Sequence, residues 1–170
     1  MTLKWIGALV VLFGCGGFGF FLAAQYRMEE RNLRQLIAAL DYMECELEYR
    51  LTSLPELCRK TASVSTGTVR RILEALHREL ERQIAPDAAC CMDAALRSCG
   101  NLSAEMEKLF LQLGKTMGQF DLPGQLRGLA GIRRECCQVL NRITENRDSR
   151  VRSYQTLGLC AGAALAILFL

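Results

Sequence analysis

An amphipathic helix is encoded by residues 33–47, LRQLIAALDYMECEL. Leucine or methionine recurs there at intervals of three or four residues, at Leu33, Leu36, Leu40, Met43 and Leu47. Because an α-helix turns once in about 3.6 residues, these side chains share one face, and polar residues occupy the other. Such a face must pack against other apolar surfaces, so the segment predicts a helix of a bundle.

Three more apolar stripes with helical spacing follow along the chain. They consist of Val69, Ile72, Leu73, Leu76, Leu80 and Ile84; Met106, Leu109, Phe110, Leu113 and Met117; and Leu122, Leu126, Leu129, Ile132, Cys136, Leu140 and Ile143. The alternating patterns of β-branched residues that are typical of strands do not occur.

Helix-breaking residues separate the stripes at 52–55, 65–68, 86, 100–101 and 121–124. Two shorter helices fit between these breaks, near 54–64 and 87–99. Short connections make sequential helices antiparallel neighbours. The sequence therefore predicts an all-α fold, an antiparallel bundle of about six helices.

Both ends of the chain are free of charge. Residues 5–24 and 153–170 contain no charged side chain, whereas all 18 acidic and 20 of the 21 basic residues lie between them. About 18 or more apolar residues in a row can cross a bilayer as a helix. We therefore expect transmembrane helices in 1–25 and 153–170, flanking a helical bundle in 26–152.

Each apolar run has an alternative interpretation. The first could be a signal peptide, although it is longer than the usual apolar region and has no A-x-A cleavage site at its end. The second could be a core helix, but a helix that is apolar all round must be covered on every side. Small residues four apart, among them Gly158 and Gly162, favour helix packing within a membrane.

The arginines predict the side of the membrane on which the bundle lies. Arg27, Arg31 and Arg34 follow the first run, and four more arginines closely precede the second. Because basic residues are retained on the inner side, we expect the bundle in the cytoplasm. Its seven cysteines would be reduced there and act as small apolar side chains. A metal or redox role stays open, although only Cys-Cys doublets occur and no C-x-x-C.

Little in the sequence indicates catalysis or nucleic-acid binding. His77 is the only histidine, and residues 113–116, LGKT, lack the earlier glycine and the strand of a P-loop. Acidic and basic residues are mixed, which argues against a nucleic-acid surface. We predict a protein that is not an enzyme and that carries no cofactor or metal.

Two groups of residues stand out from the bundle pattern. The acidic residues Asp41, Glu44, Glu46 and Glu48 could coordinate a divalent cation, but such a run is more often a solvated helix face. Each glycine within a helix costs about 1 kcal/mol relative to alanine, so a glycine series indicates either a close helix crossing or a flexible corner for a partner. This series is Gly114, Gly118, Gly124, Gly128 and Gly131.

Three sequence blocks resemble the stage III sporulation protein AB family of spore-forming bacteria. They are RNLRQLIAAL at 31–40, followed by Glu44, Glu46, Tyr49, Thr52 and Leu54; LGKTMG at 113–118, followed by Asp121 and Gln125; and LGLCAG at 157–162. The resemblance covers nearly the whole chain. The chain departs from the family pattern where Glu29 and Glu30 replace a usual proline and where a Thr-Pro-Leu motif has its proline displaced to Pro55.

The resemblance implies a soluble domain similar to that of the inner-membrane platform protein of type II secretion and type IV pilus machines. It implies a platform subunit of the channel complex between mother cell and forespore, in the mother-cell membrane that surrounds the forespore. The implied partners are the cytoplasmic secretion-type ATPase, stage III sporulation protein AA, and other membrane subunits. The family carries no catalytic residues, and a homo-oligomer is compatible with this role.

A docking surface should consist of exposed polar residues, since the apolar stripes are used in the core. The candidates are the four acidic residues from Asp41 to Glu48, which follow soon after the membrane exit. Two other hypotheses remain: a membrane-anchored scaffold or signalling protein with another partner, and a membrane enzyme or metal-dependent thiol protein.

Overall fold

The structure is a computed structural model that describes residues 27–82, 87–100, 102–118 and 121–169, with side chains as far as residue 145. These residues contain helices and no strands, which confirms the all-α prediction. The helices are α1 at 27–50, α2 at Leu54–Val64, α3 at Gly67–Arg82, α4 at Ala88–Cys99, α5 at Ala104–Met117 and α6 at Leu122–Phe169.

The helix ends follow the breaks in the sequence. Pro55 lies in the first turn of α2, where its missing N–H does no harm. The Asp87 carboxylate caps α4. At the start of α6, Asp121 Oδ2 accepts a hydrogen bond from the backbone N–H of Gly124 at 2.8 Å, and the helix begins within the break predicted at 121–124. The break predicted at Pro86 lies outside the described residues.

The apolar stripes form the core. All five members of the stripes on α1 and on α5 are at most 5% exposed. On α3 the buried stripe runs from Val69 to Leu76, and Leu80 is half-buried. On α6 the buried side chain that follows Cys136 is Val139, whereas Leu140 is half-buried. Val139 lies seven residues after the buried Ile132, which is close to two helical turns, so both side chains lie on the same face of the helix.

Neighbouring helices pack in chain order, α2 on α3, α3 on α4 and α4 on α5. The chain divides into two compact units, and the bundle is the unit Arg31–Leu140. In the other unit the structure describes helical residues 27–30 and 141–169.

The predicted membrane spans stay predictions. None of the helices in the described residues combines the length and the apolar character that crossing a membrane requires. Residues 1–25, the first predicted span, lie outside the described residues. The second predicted span, 153–170, is helical as far as Phe169.

Candidate functional site

Three of the four acidic candidates lie on the outer side of α1. Asp41 and Glu48 are exposed, and Glu44 is half-buried. Spacings of three and four residues place them along one side of the helix. Asp41 Oδ1 accepts a hydrogen bond from Arg133 Nη1 of α6 at 3.3 Å. Glu44 and Glu48 form no ion pair with any residue that the structure describes.

Glu46 is only 7% exposed and lies apart from these three. Its Oε2 accepts hydrogen bonds from Lys60 Nζ at 2.9 Å and from Thr52 Oγ1 at 3.0 Å. Its Oε1 accepts one from Tyr42 Oη at 3.4 Å and lies 3.5 Å from Arg50 Nη1. We call these five residues the Glu46 network. The expectation of a fully exposed acidic set is therefore wrong for Glu46.

The Glu46 network joins α1, the connection that follows it and α2. The hydrogen bond from Lys60 holds the pKa of Glu46 below its ordinary value of 4.5; Thr52 and the charge of Arg50 act in the same direction, and burial opposes them. The carboxylate is therefore charged at neutral pH. The sequence contains a signal for this burial, because Glu46 follows the buried Ala39 by two helical turns and Met43 by nearly one.

The last turn of α1 and the connection to α2 expose two large apolar side chains. Tyr49 is 76% exposed and Leu51 is 72% exposed. Leu51 has a φ of 49°, in the left-handed region, which costs a non-glycine residue about 1–2 kcal/mol. We call these two residues the α1–α2 corner. No apolar stripe or motif pointed to Leu51, since its conformation is set by how the chain turns after α1.

The glycine series marks two close helix crossings. A Cβ on Gly114 of α5 would lie 2.7 Å from the Cβ of Met92 on α4, and a Cβ on Gly128 of α6 would overlap Cγ2 of Thr116 on α5. At Gly118, in contrast, the nearest atom would be 3.6 Å away, and the residue is exposed. The close approach therefore does not extend to Gly118.

The motif residues Asp121 and Gln125 and the remaining glycines lie on α6 or at its start. Asp121 caps the helix as described above, and Gln125 Nε2 donates a hydrogen bond to the carbonyl of Met117 at 3.5 Å. A Cβ on Gly131 would meet nothing within 4 Å. Gly158 and Gly162 lie in the helical backbone of α6, beyond the residues whose surroundings the structure describes.

The seven cysteines from Cys45 to Cys137 are all free thiols. Cys58, Cys91 and Cys136 are buried, whereas Cys45 and Cys137 are exposed. Burial raises the pKa of Cys58 and of Cys136 to about 12, so these thiols are protonated at neutral pH. The described residues contain no group of three or more His, Cys, Asp or Glu side chains arranged to hold a metal ion.

The comparisons with known proteins agree on one family. The family model of stage III sporulation protein AB matches residues 4–170. A solved structure of a stage III sporulation protein AB has a similar fold, with a TM-score of 0.62 and 21% identity over 69% of this chain and 94% of that chain. No curated protein gives a significant match. Because the family model covers nearly every residue, this chain belongs to the stage III sporulation protein AB family.

Proposed function

We propose that the chain is a non-enzymatic platform subunit of the channel complex between mother cell and forespore, and that its bundle docks a cytoplasmic secretion-type ATPase. One observation carries the docking proposal. In a member of this family, the outer side of α1 presents Glu44 and Glu48 without a cationic partner among the described residues.

Several other surface carboxylates of the bundle have a cationic partner nearby, although the exposed Glu105 and Glu107 of α5 form no ion pair among the described residues either. Within one helix, Arg59 pairs with Glu56, Arg70 with Glu74 and Arg97 with Asp93. Glu44 and Glu48 are instead two like charges four residues apart, an arrangement that destabilises a helix by about 0.2–0.5 kcal/mol. A basic surface on a partner would relieve this repulsion. Such complementarity mainly raises the association rate and weakens with salt.

The proposed anchoring rests on the two uncharged runs, the cytoplasmic side on the arginines next to them, and the identity of the membrane on the family. We infer that residues 1–25 and 153–170 anchor the chain in the mother-cell membrane around the forespore, with the bundle in the cytoplasm, where the ATPase can reach α1. Lipid and the other membrane subunits would then contact the two anchors.

The docking proposal is tested by titrating the full-length protein, in detergent, with the purified ATPase of the complex. Charge reversal by Glu44→Lys with Glu48→Lys should weaken binding about tenfold or more, chiefly through slower association at low salt. The matched control, Glu74→Lys with Glu81→Lys on α3, changes net charge equally and should bind as the wild type does. Equal binding by both variants, or a wild type that does not bind, would contradict the proposed docking.

The proposed topology is tested with a thiol reagent that cannot cross membranes. Cys45 is exposed on α1, so its peptide should be labelled after lysis of sporulating cells and stay unlabelled in intact ones. Labelling of Cys45 before lysis would place the bundle outside the cytoplasm.

A further inference from the structure

We propose that the α1–α2 corner is the apolar anchor of the interface with the ATPase, and that Tyr49 and Leu51 enter an apolar pocket bordered by lysine or arginine. The inference rests on the proposed function and adds the chemistry of the contact. Three features of the corner support it: its exposure, its fixed geometry and the charge around it.

The exposure of the corner is uncommon for this bundle. In the described residues, four large apolar side chains are more than half exposed: Met28, Tyr49, Leu51 and Val64. Single exposed apolar residues are ordinary on protein surfaces. Tyr49 and Leu51, however, are the two most exposed of the four and stand two positions apart. Tyrosine is also enriched among the residues that contribute most to protein–protein binding.

Leucine at position 51 does not serve the fold. Its φ of 49° suits glycine or asparagine better than leucine, and its side chain is 72% exposed, so it adds little to the core. The conformation therefore favours another residue, while the apolar side chain points to a contact outside the bundle.

The Glu46 network fixes the corner in place. Thr52, the residue after Leu51, donates a hydrogen bond to the buried carboxylate, and Lys60 holds the same carboxylate from α2. Both ends of the turn are thereby attached to the bundle. An anchor that is held in its bound geometry before association loses less conformational entropy on binding.

The charges near the corner indicate which residues should border the pocket on the ATPase. Glu48 directly precedes Tyr49, and Glu44 lies one helical turn earlier; neither has an ion-pair partner in the described part of the chain. The exposed Arg50 lies 3.5 Å from Glu46 Oε1, and Lys60 shares the same carboxylate. The three glutamates Glu44, Glu46 and Glu48 still outnumber these two cations by one, so the surroundings of the corner are weakly acidic, and basic side chains on the ATPase would complement them.

The substitution Leu51→Asn should weaken binding without destabilising the fold. Asparagine tolerates the left-handed conformation and removes the apolar side chain, so the melting temperature should stay equal or rise. Affinity of the full-length protein for the purified ATPase should fall about tenfold, a loss typical of an interface anchor. Val64→Asn is the matched control, since it makes a similar change at another exposed position, and it should bind as the wild type does.

A photo-crosslinking amino acid at position 51 identifies the molecule that contacts the corner. A crosslink to the ATPase supports the proposal, and a crosslink to a second copy of this chain overturns it. If the wild type binds the ATPase and Leu51→Asn binds equally well, the anchor is refuted while the docking function stands. If the wild type does not bind, both proposals fail.

Discussion

At the α4–α5 crossing, Gly114 brings the helix backbone so close to Met92 that a single added carbon does not fit. Beside the α1–α2 corner, in contrast, a buried carboxylate accepts hydrogen bonds from several polar side chains. The crossing is apolar and closed. The corner uses the Glu46 network to fix a turn whose own side chains stay in solvent. Close packing thus stabilises the fold at one site, and at the other buried polar contacts set the shape of an exposed surface.

The largest expected effect concerns the interior that both sites share. The pKa of Cys58 is raised from its ordinary 9.0 to about 12, so near neutral pH its thiolate fraction should be about a thousandfold below that of an ordinary thiol. Alkylation of the folded full-length protein, followed by peptide mass spectrometry, should modify the exposed Cys45 and spare Cys58. In the unfolded protein, Cys45 and Cys58 should be modified at similar rates. Equal rates in the folded protein would show that water reaches the interior beside α2.

The second effect tests the crossing. Gly114→Ala should destabilise the bundle by about 1–3 kcal/mol, because the new Cβ overlaps the stem of the Met92 side chain. Gly131→Ala is the matched control; its Cβ would meet nothing within 4 Å, and alanine should stabilise the helix by up to about 1 kcal/mol. Denaturant unfolding measures both. A Gly114→Ala protein as stable as the Gly131→Ala protein would mean that α4 and α5 separate easily.

The third effect is a dependence of stability on pH, which we expect at the corner and not at the crossing. The folded-state pKa of Glu46 lies below its ordinary 4.5, so its charge stabilises the fold above that pH, and this contribution is lost as pH falls through the folded pKa. Glu46→Gln should therefore lower the melting temperature at pH 7, and its difference from the wild type should shrink below pH 4.5.

Two comparisons control for general effects of acid. The difference between Gly114→Ala and the wild type should not follow the titration of Glu46, since the atoms nearest the new Cβ belong to Met92 and the carbonyl of Ala88. Glu74→Gln removes one partner of a surface ion pair that is about half exposed, and such pairs contribute little. A Glu46→Gln protein that melts with the wild type at every pH would refute a stabilising network.

The smallest effect is expected at Gly118, a member of the glycine series that lies outside the close crossings. A Cβ there would have ordinary contacts of 3.6 Å or more, so Gly118→Ala should leave the unfolding midpoint nearly unchanged. A loss as large as that of Gly114→Ala would extend the crossing to the end of α5.

The apolar stripes and the helix breaks could be predicted from the sequence. Helical periodicity, and the effects of proline, glycine and aspartate on the backbone, depend only on nearby residues. Asp121, for example, caps a helix whose start its neighbours already indicate. The burial of Glu46 could have been predicted from its helical spacing to the buried Met43, but its partners Thr52 and Lys60 could not, because they depend on how α2 packs. The surroundings of Gly118 were not predictable either, since one glycine resembles another until neighbouring helices pack around it. Leu51 left no local signal, because its conformation depends on how α2 is held against α1.

The central claim is that the crossing serves the fold and the outer side of α1 serves binding. It is tested most directly by the affinity of two folded full-length proteins for the ATPase, Gly114→Ala and the double reversal Glu44→Lys with Glu48→Lys, at a temperature where both are native. The account predicts that Gly114→Ala binds as the wild type does and that the double reversal binds about tenfold more weakly with an unchanged melting temperature. Weaker binding by Gly114→Ala, together with full binding by the double reversal, would contradict it.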